Sequence, residues 1–450
     1  MAAIRQRNKS FYVIYTYEDE DGNPKQKWES FKTMAEAKTR KKEIEYKESV
    51  GTFVVPKCKT LNDLLDEYIV LYGKTKWALS TYRSNVALID HYIRPKMGSM
   101  KLTDINTRVI ERYYQTLLKT KAVPNNARKP KVKMLTPHTV HEVHKILRSC
   151  FNQAKKWSLV EKNPAEGAMV PKYESEKREI WTSETLFKAL NLCDDPRLAL
   201  ALNLAFSCSL RMGEMLGLTW DCVDIEPDSI ECGVASVFVR KELQRVNRST
   251  LETLEKKDVQ LIFPAKSSQS ETVLVLKTPK TESSVRKVFM PKAVAQMLAA
   301  WKEKQDEEKN VLGDEYQDFN LVFAGSLGLP TEESTINGSL KRLIKENDLP
   351  PVVFHSFRHA SVTYKLKLNG GDIKSVQGDT GHAQARMVTE VYSHILDEDR
   401  KSNAQLFQET FYEKKEEQPA LPNGITPEIL AKILERPEMA ALLTSLANAI

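Results

Sequence analysis

Arg211 in SLRMGEML, Lys280 in KTPKTESSVR, His355 and Arg358 in HSFRH, His382 in GDTGH and Tyr392 in EVYSH are the residues whose types and order could do chemistry together. A tyrosine oxygen attacking a phosphodiester needs positive charge on the non-bridging oxygens and a proton donor for the leaving alcohol, and this set supplies both without a metal. His355 and Arg358 are three apart and so lie on one side of a helical turn. With Arg211 they offer two planar guanidinium forks to one phosphate, a geometry lysine does not reproduce. His355 can take or give a proton near the tyrosine or bond a phosphate oxygen, and His359 beside it is secondary. A phenol has a reference pKa of about 10, so Tyr392 must be activated by the field of the arginines. Each residue also has a plainer reading: an arginine at a helix junction is structural as often as catalytic, and a tyrosine is commonly buried with its hydroxyl bonded.

The elements that would position these groups are legible in outline. An apolar helix ends near Ser209 and a second opens at Met212, which leaves Arg211 at a junction with Glu214 placed to orient it or to bond the helix start. Two strand patterns, VLVLK and VRKVFM, flank a Thr/Pro/Ser-rich turn, so Lys280 is expected at a hairpin tip, where it could protonate a leaving oxygen. Lys277 is three residues away, and both lysines could instead be surface phosphate contacts. Gly381 is expected to end a local element and let the backbone approach, and Val391 and Ile395 to pack the helix that carries Tyr392.

The 450 residues, 41% hydrophobic and 28% charged, are enough for two or three folded domains. The excess of 67 Lys and Arg over 60 Asp and Glu gives a net charge of +7, which says little alone. The basic residues bunch, however: Arg40 to Lys42; Lys129, Lys131 and Lys133; Lys277, Lys280, Arg286 and Lys287. Such clusters can track phosphates or be solvated surface. No long apolar run or signal-peptide core is present, so the product is expected in the cytoplasm, at the nucleoid when on DNA, and not in a membrane. Six scattered cysteines without a C-x-x-C read as reduced thiols. His138, His141 and His144 lack a metal-ligand spacing and read as a helix face.

The first fifty residues read as strands at Phe11 to Tyr17 and Lys25 to Phe31 about a GNP turn, then a helix from Met34 to Val50. Arg5, Arg7, Lys25 and Lys27 are expected on the sheet face away from that helix. Residues 59–170 read as helical, with a basic loop from Lys119 to Pro137, and 163–179 read as a linker letting the flanking domains close from opposite sides of DNA. The remainder to about residue 410 mixes helices with short β runs, LVFAG among them. A polar tail then leads to a helical pattern from Pro427 to Ala447, able to pack on its own domain or on a neighbour.

The order R, K, H-x-x-R, G-H, Y, with its flanking text, resembles the tyrosine recombinase family, also called phage integrases. SLRMGEMLGLTWDCVD resembles the family's arginine box, PKTESSVRKVFMP its lysine hairpin, and HSFRHASVT with TGHAQARMVTEVYSH its second box. Ser209 stands where glycine is usual, and Thr380 where an apolar residue is common. The resemblance implies a multidomain fold: a small β-sheet plus helix binding arm-type DNA at 1–55, an all-α core-binding domain at 56–170, an α+β, mainly helical catalytic domain at 171–410, and a tail with a helix at 411–450. It implies a 3′-phosphotyrosyl link through Tyr392, protonation of the 5′-oxygen by Lys280, and stabilisation of the phosphorane by Arg211, Arg358, His355 and His382. Strand exchange through a Holliday junction would integrate, and in reverse excise, a mobile element from a phage or conjugative element. No ATP, nicotinamide or divalent ion is implied. The implied partners are core-type and arm-type double-stranded DNA, a homotetramer on two duplexes, an excisionase and a host DNA-bending protein. A type IB topoisomerase and a non-catalytic DNA-binding protein are the alternatives.

Overall fold

The computed structural model describes residues 2–8, 10–18, 24–49, 58–123, 132–173, 180–265, 267, 269–381, 384–392 and 435–447. These fall into two units, residues 1–361 with 378–383, and residues 362–377 with 384–450.

The chain begins with three antiparallel strands in the order β1 (Ala3–Arg7), β2 (Ser10–Glu18), β3 (Pro24–Phe31), followed by helix Met34–Ser49. Two strands were expected. β1 escapes a periodicity reading because it is a charged edge strand with Ile4 as its one partly buried residue. Val13 and Tyr15 pack on Ala37 and Ile44 of the helix, with Ile4, Phe11 and Phe31 around them. Strand alternation then sorts the basic residues. Lys27 pairs with Tyr15 and Lys25 with Tyr17, so both stand on the helix side, contrary to expectation. Arg5 pairs with Tyr12, which pairs with Ser30, and these face away from the helix together with Trp28, which is 46% exposed. Arg40 also leaves the list of phosphate contacts, since it is held by Glu29 at 2.8 Å and Glu43 at 2.9 Å.

Helices Leu61–Glu67, Leu79–Leu88, Thr107–Leu118 and Pro137–Lys156 form the next layer. Their starts are set by side-chain caps: Thr60 with Asp63 in a capping box, Asn106, and Thr136. Leu61, Leu64, Ile110, Tyr114, Val143, Leu147 and Phe151 meet in one core. The three histidines have ordinary partners: His144 Nδ1 meets the Tyr114 hydroxyl at 2.8 Å, His141 Nε2 meets the Pro171 carbonyl at 2.8 Å, and His138 lies against the Tyr173 ring. The expected loop after Lys119 folds back, with Lys121 bridged to Met134; Lys129 and Lys131 lie outside the described residues. The expected linker starts too early at 163. Asn163 bonds Arg148 O and Asn152, and Ala165 is buried in the helical core.

Beyond residue 180, helices Ser183–Asn191, Pro196–Ser207, Lys292–Leu312 and Glu333–Glu346 surround two small sheets. One contains β4 (Val223–Asp224), β5 (Ser236–Val239) and β9 (Arg286–Phe289) in the order β4-β5-β9. The other contains β6 (Glu242–Asn247), β7 (Val259–Ile262) and β8 (Thr272–Lys277) in the order β6-β8-β7. The expected hairpin is therefore absent: the strands on either side of Lys280 belong to different sheets. Val239 pairs with Arg286 and Glu242 with Lys277, so residues 278–285 leave the ladder opposite Arg240 and Lys241 as an excursion. LVFAG is not a strand; Leu321 and Ala324 make isolated bridges to Thr219 and Pro330. The second sheet also receives helix Leu79–Leu88. Leu79 is buried among Val246, Leu251, Leu254, Val273 and Val275, and Lys257 Nζ donates to the Thr75 carbonyl at 2.5 Å. The helical layer and the downstream sheets are thus in apolar contact rather than joined by a linker alone.

The second unit has its own small core of Val362, Leu366, Val376 and Val388, with Ile373 against it. Val388 packs helix Ala385–Tyr392; the Val391 side chain and Ile395 lie outside the described residues. In the tail, Pro437–Ala447 is helical with Leu442 exposed, while Leu430, Ile433 and Leu434 of the expected helix lie outside the described residues. All six cysteines are free, and among the described residues no helix is long and apolar enough to cross a membrane.

Candidate active site

Helix Pro196–Ser207 is capped by Asp195 and runs into the core through Leu200, Leu204 and Ala205. It stops because Ser209 adopts a left-handed φ of 54°, a conformation that costs a non-glycine residue about 1–2 kcal/mol. This accounts for the glycine expected at that position. The Ser209 hydroxyl is buried at 2.6 Å from that of Ser361, and its carbonyl accepts a bond from Arg358 Nη1. Arg211 follows as the N-cap of helix Met212–Leu216. Glu214 in that helix accepts from the Arg211 backbone N–H at 3.0 Å and from Arg211 Nη1 at 2.5 Å. The sequence offered these two roles as alternatives, and both occur.

Arg358 comes from the first turn of helix His355–Leu368 and is 2% exposed. Its other terminal nitrogen donates to the Thr380 carbonyl, while Arg211 Nη2 reaches the Gly381 carbonyl at 3.4 Å. Gly381 has a left-handed φ of 62°, and a Cβ there would stand 2.8 Å from the Ser283 carbonyl. The glycine is therefore what lets residues 379–381 and the 278–285 excursion close on one another.

Arg286 is the residue sequence reasoning misplaced. It was grouped with surface lysines, yet it is 7% exposed and forks onto Glu214, with Nη1 at 3.2 Å and Nη2 at 3.0 Å. Its Nε donates to the Asp379 carbonyl at 2.7 Å and its Nη1 to the Ser284 carbonyl at 2.9 Å. The signal was present in the alternation of β9, where Arg286 and Val288 point inward and Lys287 and Phe289 outward. Lys277 is likewise no surface contact: it is 2% exposed, with Glu242 at 2.7 Å and the Thr278 carbonyl at 3.0 Å. Lys280 is exposed on the excursion. His355 is exposed and meets His359 edge-on with ring centroids 4.6 Å apart, so the second histidine is a close partner. His382 and the side chain of Tyr392, the last residue of its helix, lie outside the described residues.

The electrostatics follow from this packing. Arg211 and Arg286 both pair with the Glu214 carboxylate, and Arg358 lies within its electrostatic reach. Burial, then the neighbouring Arg211, pushes the Arg358 guanidinium down to about 9, which leaves it charged at neutral pH. Burial alone would raise the Glu214 carboxyl, but Arg286 and then Arg211 hold it at about 2. Its contribution to stability is thus complete above the ordinary value of 4.5 and is lost as pH falls toward about 2. The wild-type protein is expected to lose on the order of 3 kcal/mol across that window. Glu214→Gln starts lower and shows a flatter acid limb, which denaturant midpoints measured over the window will check.

Comparison with known proteins gives a consistent picture. Residues 182–399 match the phage integrase family, and residues 60–118 match the phage integrase N-terminal SAM-like domain. A tyrosine recombinase XerC-like protein of Caldanaerobacter subterraneus is 26% identical over 89% of this chain and 96% of its own. The ICEBs1 integrase of Bacillus subtilis is 25% identical over 60% of this chain and 65% of its own. Among solved structures, the Tn1549 transposon integrase in complex with circular intermediate DNA superposes with a TM-score of 0.57 at 18% identity, covering 77% of this chain and 99% of that one. This structural likeness bears on the fold.

Proposed function

Because the chain belongs to the phage integrase family of tyrosine recombinases, which cleave and rejoin DNA strands, we propose that it integrates and excises a mobile element by site-specific strand exchange. The similarity to the ICEBs1 integrase supports that reading. The observation that carries the reading is the buried Arg358 beside Arg211, whose fork is paired with Glu214 yet stays partly exposed. Such a site is made for one phosphate.

In this mechanism the two guanidiniums and His382 bind the non-bridging oxygens of the scissile phosphate. The Tyr392 oxygen forms a bond to phosphorus and gives its proton to His355. The bond from phosphorus to the 5′-oxygen breaks, and that oxygen takes a proton from Lys280. The product is a 3′-phosphotyrosyl link and a free 5′-hydroxyl. A 5′-hydroxyl of a partner duplex reverses the step, which leads through a Holliday junction to recombinant DNA. The phosphodiester energy is conserved in the protein link, so the exchange is isoenergetic and draws on no nucleotide. Four protomers on two duplexes would complete it, with an excisionase and a host bending protein setting direction. Incubating purified protein with two attachment-site duplexes tests this: joined products support recombination, whereas relaxation of supercoils without joining points to a topoisomerase.

The helical region at 56–170 would clamp the core site, and the N-terminal sheet would hold the arm-type site through the face bearing Arg5, Tyr12 and Trp28. A strand face carrying a cation and an exposed aromatic ring suits a DNA groove. Replacing Arg5 and Trp28 together by alanine is expected to weaken arm-site binding about 10- to 100-fold. Covalent adduct formation on an isolated core site should stay unchanged. Gel-shift titrations at fixed salt, run beside a cleavage assay, measure both.

A further inference from the structure

Resting on the reading of Lys280 as proton donor, we infer that Arg286 is the residue that positions it. The excursion at 278–285 has left the ladder: Thr278 at its start still donates to the Asp258 carbonyl at 3.0 Å through its N–H and at 3.2 Å through its hydroxyl, while beyond Lys280 the Thr281 and Ser284 hydroxyls meet at 2.8 Å within the excursion itself. A loop without ladder bonds samples many positions, whereas a proton donor must stand within hydrogen-bond reach of the leaving oxygen.

Arg286 removes that freedom. Its guanidinium joins the Ser284 carbonyl of the excursion to the Asp379 carbonyl and to both oxygens of Glu214, which in turn holds Arg211. The Lys280 loop, the phosphate clamp and the segment ending in Gly381 are thus fixed to one planar group. At 7% exposure Arg286 is walled off from DNA, so it acts through these neighbours and is a positioning residue. A lysine in its place would keep a charge against Glu214 but has one nitrogen for partners lying in three directions.

The test uses the chemistry of the leaving group. When the bond from phosphorus to the 5′-oxygen breaks, its electron pair stays on oxygen, which takes the proton of the Lys280 ammonium. With sulfur at the 5′-bridging position the group departs as a thiolate and needs no proton. Full-length Arg286→Lys and Lys280→Ala are compared with the wild type on core-site duplexes carrying either atom, following covalent adduct formation.

Both variants are expected to be about 10²- to 10³-fold slow on the oxygen substrate and to recover to within about 10-fold of wild type on the sulfur substrate. Recovery also shows that the variant is folded. If Lys280→Ala recovers and Arg286→Lys is equally slow on both substrates, the positioning role is wrong while the donor stands. If Lys280→Ala fails to recover, the donor assignment is wrong and the positioning role falls with it. Should Arg286→Lys prove unfolded by circular dichroism, Arg286→Gln with Glu214→Gln removes both buried charges together and enters the same comparison.

Discussion

Tyr392→Phe is expected to bind core-site DNA like the wild type and to form no covalent adduct, with cleavage reduced at least about 10⁴-fold. The substitution deletes one oxygen and keeps the ring. Helix Ala385–Tyr392, anchored through Val388, has no reason to change. What is lost is the nucleophile, for which water is a poor substitute because it is neither tethered nor held in line. Trapping on a nicked suicide duplex, followed by mapping the DNA-bearing peptide, reads the result. An adduct that survives in Tyr392→Phe, or maps to another tyrosine, would sink the proposed mechanism.

Arg358→Ala is expected to lower the cleavage rate about 10³-fold while changing DNA affinity little, because one buried guanidinium contributes charge where charge develops and the wider duplex is held elsewhere. It also leaves the Ser209 and Thr380 carbonyls without their donor, at about 1–3 kcal/mol for each unsatisfied group. Thermal melting must therefore accompany the kinetics. Arg358→Lys separates the two effects. Its ammonium restores the charge but cannot bridge two carbonyls and still present a fork to phosphate, so a loss of at least about 100-fold should remain. A lysine variant as active as the wild type would mean that charge alone, without the fork, suffices.

Much of the architecture could be read from pattern. The helices at 61–67, 107–118 and 137–156 have apolar spacing and side-chain caps, and caps are local chemistry. The glycine expected in place of Ser209 was legible as a departure, and its meaning became clear from the left-handed backbone there. The errors fall where partners are distant in sequence. A periodicity argument sees two strands and a turn around Lys280, but pairing depends on residues 236–247, which lie far upstream. The same blindness put Lys25 and Lys27 on the wrong face and read Arg286 as surface. Strand residues were counted as basic before their alternation was followed.

The chain's own text determined which atoms could react: a phenol, two guanidinium forks, an ammonium and histidines, in an order that names a chemistry. Side-chain type and local spacing carry that information, because reactivity belongs to the group. Tertiary structure decided which cations are available. It turned Lys277 inward to Glu242 and left Lys280 exposed, and it buried Arg286 against Glu214, which also holds the partly open Arg211. Burial and pairing are properties of surroundings assembled from segments as far apart as residues 209, 286, 358 and 380, and no one stretch of sequence contains them.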